Sequence, residues 1–163
     1  MKKEVTNKAC AINPTPNLVI SCQDREGRKN ALVVAFAGNA SLEPPMVMAG
    51  VMPERFSHHM IKETGVFVIN IPARGFEREY NYLGSKSGKD GDKFEALQLK
   101  WEKGTVVDAP LLTDCPVNIE CKVAASVQPG THDLFIATVE AVHCEEKYLD
   151  ENGNIKWGDI PLL

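Results

Sequence analysis

The chain has 163 residues, 44% of them hydrophobic and 25% charged, which suits one globular domain spanning residues 1–163 that needs no metal or disulfide staple. A formal net charge of −4 argues against broad nucleic-acid or membrane-surface binding, which calls for a basic face. No apolar run reaches the roughly 18–20 residues that span a bilayer.

In chain order, the stretch Met1–Cys10 is polar and charged and unlike a signal peptide. Five cysteines, an odd number, are expected to be free thiols in a reducing cytoplasm. Leu18–Cys22 reads as a short apolar strand, and Asp24–Lys29, with Gly27, as a hairpin loop. Asn30–Ala40 returns as a strand rich in Val and small residues. Pro44-Pro45 breaks it, and Met46–Met52 resumes as a strand. Pro53-Glu54 opens a helix, since early Pro and Glu suit the free amides and dipole of a helix start. Phe56 and Met60 share a face of that helix, and Gly65 closes it.

Val66–Ile71 has the composition of a buried strand. Pro72–Leu83 reads as a turn and short helix, Gly84–Asp92 as a polar loop, and Lys93–Leu97 as a helical turn. Val117–Val123 alternates: Val117, Ile119, Cys121 and Val123 face one way, and Asn118, Glu120 and Lys122 the other. Pro129-Gly130 marks a turn before the strand Leu134–His143, and Glu151–Asn154 makes a last turn. Ile155–Leu163 carries no core pattern. Six or seven strands with a few short helices and no βαβ alternation imply an antiparallel, mainly β fold, for which a small closed barrel removes exposed edges.

Three segments have the residue types for ligand chemistry. In Asn30–Ser41 the small residues Ala35, Ala37, Gly38, Ala40 and Ser41 let a flat ligand approach the backbone; a closely packed barrel strand accounts for the same pattern. In Pro53–Ser57 a helix start meets the fixed charge of Arg55, a good phosphate site; a capped surface helix is the plainer alternative. In Gly84–Phe94 a Gly/Ser loop with Lys86 and Lys89 can form an anion nest, although the spacing is not that of a P-loop. A flexible polar loop is the alternative there.

Other constellations point away from metal and nucleophile chemistry. His58 and His59 are adjacent on a helix, so they diverge by about 100° and do not readily share a metal. No cysteine pair has CxxC spacing, and neither GxSxG nor GxGxxG occurs. His132, at a strand start after Pro129-Gly130-Thr131, is either a ligand contact or a turn residue.

Five stretches in one order carry a resemblance: NALVVAFAGNASLEPPMV, MPERFSHHMIKETGVFVINIP, GSKSGKDGDKF, APLLTDCPVNIECKV and PGTHDLFIATVEAVH. Together they resemble the flavin reductase-like family, in particular its flavoredoxin branch. The resemblance implies a mainly β, FMN-binding split β-barrel of antiparallel Greek-key strands with a few short helices. It also implies a homodimer with the flavin near the interface. The isoalloxazine would rest on the strand with Ala35, Phe36, Ala37, Gly38 and Ser41, near Asn30. The phosphate would be held by Arg55, Ser57, Ser85, Lys86 and Ser87, and His132 would meet a nicotinamide. Position 56 is Phe where the family often has Tyr, which removes one hydroxyl.

Hydride transfer to a flavin needs no general acid or base, so no classical catalytic residue is expected. Three functions stay open. The first is an NAD(P)H-dependent flavin reductase passing electrons to free flavin, ferric complexes or a protein. The second is a flavoredoxin-type carrier reduced by a protein donor. The third is a non-enzymatic ligand-binding barrel.

Overall fold

The computed structural model describes residues Met1–Leu163. Its strands are β1 (Leu18–Gln23), β2 (Lys29–Val34), β3 (Ala37–Leu42), β4 (Pro45–Val51), β5 (Val66–Ile71), β6 (Trp101–Lys103), β7 (Pro110–Leu112), β8 (Val117–Val127) and β9 (Asp133–Cys144). Its α-helices are α1 (Phe56–Thr64), α2 (Glu77–Ser85) and α3 (Lys93–Leu97). Seven strands form one sheet in the order β2-β1-β5-β8-β9-β4-β3, and β6 and β7 form a separate pair. Every strand pairing is antiparallel.

Alternation along the strands builds the interior. Leu18, Ile20 and Cys22 of β1 meet Leu32 and Val34 of β2, Val47, Ala49 and Val51 of β4, and Phe67 and Ile69 of β5 in one cluster. Cys121 of β8 and Phe135 and Ala137 of β9 join it. Since side chains with period two share a face, strands on both halves of the sheet meet only if it curls on itself. α1 plugs the cluster with Met60 and Ile61, both fully buried and each contributing about 1.5–3 kcal/mol. Gly65 ends α1 in the left-handed region at φ 70°, as expected of a C-cap.

The outer face of β1 and β2 is covered as well. Val19 and Ala31 pack on Phe76, Leu83, Phe94 and Leu97 from α2, α3 and their approaches. β1 is therefore buried on both sides, which accounts for its mostly apolar sequence, with Ser21 the one polar residue in Leu18–Cys22.

Several expectations need correction. The single strand expected over Asn30–Ala40 is two, β2 and β3, because the chain bends at Ala35-Phe36. α1 begins at Phe56 rather than Pro53, and α2 runs through Gly84 and Ser85, which were expected in a loop. β6 and β7 have no counterpart in the sequence reading. Ile155–Leu163 does contribute to the core: Ile160 is buried and Leu162 bridges to Ala73.

The polar face of β8 is not left to water either. The 104–116 excursion covers it, and Asn118 and Glu120 are buried. Asn70 ties this region together: its amide donates to Ser21 Oγ at 2.8 Å, and its carbonyl accepts from Leu112 N at 2.9 Å and Asn118 Nδ2 at 2.8 Å. The Glu120 carboxylate accepts from the backbone amides of Thr105, Val106 and Val107 at 2.7–2.9 Å, from Thr105 Oγ1 at 2.7 Å, and faces His143 Nε2 at 2.6 Å. Burial alone raises this carboxyl, but the donors outweigh it and hold the pKa at about 2 against an ordinary 4.5.

The ionised form of Glu120 therefore stabilises the fold at neutral pH, by about 3 kcal/mol. That contribution is complete above about pH 4.5 and fades as pH falls towards about 2. Glu120→Gln should lower the unfolding free energy at pH 7 by roughly 2–4 kcal/mol in urea titrations. The gap between wild type and variant should narrow steadily below about pH 4.5.

Candidate functional site

Where β2, the start of α1 and the end of α2 converge, a cleft of about 120 Å³ opens. β2 supplies Asn30, the α1 N-terminus supplies Arg55 and Phe56, and the segment after α2 supplies Lys86, Ser87 and Gly88. Lys93, the first residue of α3, completes the wall. The volume suits an anionic group rather than a whole cofactor, since cofactor pockets run to about 300 Å³ or more.

The electrostatics of this cleft are one-sided. Arg55, Lys86 and Lys93 line it, against a single carboxylate residue, Glu54. None of the ion pairs of the fold involves these three cations. Lys93 is only 3% exposed, and its ammonium has carbonyls as partners, Ala31 O at 2.8 Å and Leu83 O at 3.1 Å. Burial, then the charge of Arg55, pushes its pKa down to about 8. A buried cation beside a second cation, with no anion, is what a bound anion would relieve.

Local geometry fits the same group. Arg55 is the N-cap of α1, and no side chain caps that helix; His58 N donates back to Arg55 O at 3.0 Å, which leaves the amides of Phe56 and Ser57 without a cap. The loop after α2 lies so close that a Cβ at Gly88 would overlap Phe56 and Asn30.

The structure brings Asn30, Arg55, Lys86 and Ser87 together and separates other expected residues from them. Ser57 is fully buried beneath the cleft, where its hydroxyl accepts from Asn30 Nδ2 at 2.8 Å. Ser85 is exposed and bonds Tyr82 O at 3.3 Å, outside the cleft. Lys89 also lies outside it. Lys93 was not among the expected ligands. Its signal in the sequence is a lysine at the first position of a helix, where the dipole disfavours a cation.

The second half of the candidate site starts where β2 runs on into β3. β3 is an edge strand, and Gly38, Asn39 and Ala40 are exposed, as is Ala35 before it. Ser41 is half-buried beyond a register shift between Asn39 and Ser41. Ala37 and Gly38 border an apolar recess of about 220 Å³ with Leu18, Ile69, Ile119 and Trp157. At the bend, the Phe36 ring meets the His132 ring edge-on, with centroids 4.4 Å apart. Phe36 and His132 are thus brought together from opposite ends of the sequence.

A cation-lined cleft on β2, followed along the chain by an exposed strand of small residues, suits a phosphate joined to a flat ring. The model of the flavin reductase like domain matches residues 11–162, and the chain belongs to that family. Its fold is that of the split-barrel flavin reductase-like proteins.

Flavoredoxin of Desulfovibrio vulgaris (Miyazaki F) superposes over 100% of this chain and 88% of its own, with a TM-score of 0.89 and 31% identity. The FMN reductase (NADH) RutF of Pseudomonas syringae pv. syringae is 31% identical over 121 residues, 74% of this chain and 66% of that protein. A high molecular weight rubredoxin of Moorella thermoacetica is 28% identical over 127 residues, 77% of this chain but 54% of its own length.

Lys93→Gln should weaken FMN binding about 10- to 150-fold, the worth of a hydrogen bond to a charged group. In the wild type, FMN affinity should fall as pH rises through about 8, where free Lys93 loses its proton. In Lys93→Gln that decline should disappear; fluorescence titration of FMN from pH 6 to 10 measures both.

Proposed function

We propose that this chain is a homodimeric FMN-dependent oxidoreductase that accepts hydride from NADH or NADPH and passes electrons to free flavin, ferric complexes or a protein. The observation that carries this reading is the cleft on β2 in which Arg55, Lys86 and Lys93 stand without a carboxylate partner, with the exposed small-residue strand β3 next along the chain. Bound FMN would supply the redox chemistry, taking up a hydride and releasing electrons to an acceptor.

The chain's own residues would bind and orient. Arg55, Lys86 and Lys93 neutralise the phosphate, with Asn30 and Ser87 as polar neighbours. Ala35, Ala37 and Gly38 leave room for the ring against the backbone. His132, against Phe36, stands where a nicotinamide would approach. Edge strand β3, with Leu42 91% exposed, is the surface we assign to the second subunit. The five unpaired thiols suit a reducing compartment, the cytoplasm.

A second reading rests on the relatives. The 31% identity to a flavoredoxin and the match to a rubredoxin favour a carrier that exchanges electrons with a protein.

Stopped-flow absorbance separates the two. FMN-loaded protein mixed anaerobically with NADH or NADPH should bleach rapidly if it is a reductase. Bound flavin that does not bleach assigns the carrier role. Arg55→Ala should raise the FMN dissociation constant about 10- to 150-fold; an unchanged constant would remove Arg55 from the phosphate site.

A further inference from the structure

Asp133 opens β9 immediately after His132 and is 3% exposed. Its Oδ2 lies 3.0 Å from His58 Nε2 and 3.0 Å from Lys62 Nζ. Both partners stand on α1, one helical turn apart and so on one face. Lys62 also donates to Ser126 Oγ at 2.9 Å, reaching across to β8, the other strand of the β8–β9 hairpin. Phe135, fully buried, lies under the cluster, 5.5 Å from the His58 ring and 5.7 Å from the Lys62 ammonium.

The three polar side chains cap Phe135 at the edge of the barrel interior, and they are placed where two parts of the candidate site meet. The N-cap of α1, Arg55, and its first residue, Phe56, line the cation cleft. His58, in the first turn of that helix, and Lys62, one turn further on, grip the residue after His132. A single rigid helix therefore touches both the cleft and the turn that carries His132. That turn is otherwise weakly held: Gln128, Pro129, Gly130 and Thr131 are exposed, and the hydroxyl of Thr131 bonds only its neighbour, His132 Nδ1, at 2.9 Å.

We propose that Asp133, gripped by His58 and Lys62, is a positioning residue that sets His132 against Phe36 and so controls how the electron donor meets the flavin. The inference rests on the reductase reading for its kinetic consequence, though the clamp itself does not depend on that reading. Without the carboxylate, the turn loses its tie to α1, and the 4.4 Å contact between the His132 and Phe36 rings loosens. None of the residues lining the cleft bonds Asp133, so the cleft keeps its residues.

The test compares wild type with Asp133→Asn, and with Lys62→Met as a milder variant at a side chain that is 52% exposed. The ring protons of His132 lie near the Phe36 ring, so their NMR shifts report the contact directly. Both variants should move those shifts towards free-histidine values. FMN affinity should change by less than about twofold while bleaching by NADH slows roughly 10- to 100-fold, as expected when a reacting partner is misplaced. In a double-mutant cycle, Asp133→Asn should cost nothing further once His132→Ala is in place.

Unmoved His132 resonances in a folded variant would overturn the proposal. So would rate losses that add independently in the cycle, or a loss of FMN affinity that runs parallel to the rate. If wild type is not bleached by either nicotinamide, the reductase reading falls, and the resonance comparison alone decides the clamp.

Discussion

Everything in this molecule depends on the inward faces of six strands meeting in one interior. Leu18, Ile20 and Cys22 on β1 must reach Val47 and Ala49 on β4, which lie far along the sheet order. Only a curled antiparallel sheet allows this, and α1 fills the space that the curl leaves, with Met60 and Ile61. The curl has a consequence for function: it leaves β2 and β3 as the two ends of the sheet, joined by the short bend at Ala35-Phe36. The cation cleft is built on β2 and the exposed small-residue strand is β3, so both halves of the candidate site are continuous in sequence and set by one bend.

Electrostatics then separates structural charge from available charge. The acidic excess of the chain is spent on closed arrangements: Glu120 within its ring of amides, Asp24 with Arg28, and Asp133 with His58 and Lys62. Arg55, Lys86 and Lys93 are outside these arrangements and share one cleft. Lys93 is the most telling of them, because burying an ammonium against carbonyls without an anion is costly unless a ligand repays it. An acidic protein can in this way present a strongly anion-seeking pocket without a basic surface.

The helix α1 does two jobs through one rigid body. Its buried face seals the barrel, and its first turn and polar side reach the cleft and the β8–β9 hairpin. Movement of α1 would disturb core, cleft and hairpin together, which favours a single well-defined arrangement. The loop after α2 approaches the start of the same helix so closely at Gly88 that only a glycine fits there.

Strong local patterns in the sequence determined much of this. The period-two alternation of Val117–Val123, the mostly apolar runs at Leu18–Cys22 and Val66–Ile71, and the Gly65 helix stop all appear in the structure at or near those positions. The ordered set of motifs was enough for the family, and Asn30, Arg55, Lys86 and Ser87 do line one cleft. What stayed hidden was decided by distant partners. β6 and β7 are three-residue strands, too short for any period to show, and they exist by pairing with each other. Asn118 and Glu120 look solvent-facing by alternation but are buried, because a segment a dozen residues earlier folds over them. Ser57 looks like a ligand but lies beneath Asn30, since α1 starts later than its proline suggests. The burial of Lys93 and the His58–Asp133–Lys62 cluster are legible only in three dimensions, because burial and charge partnership belong to neighbours in space, not to neighbours in the chain.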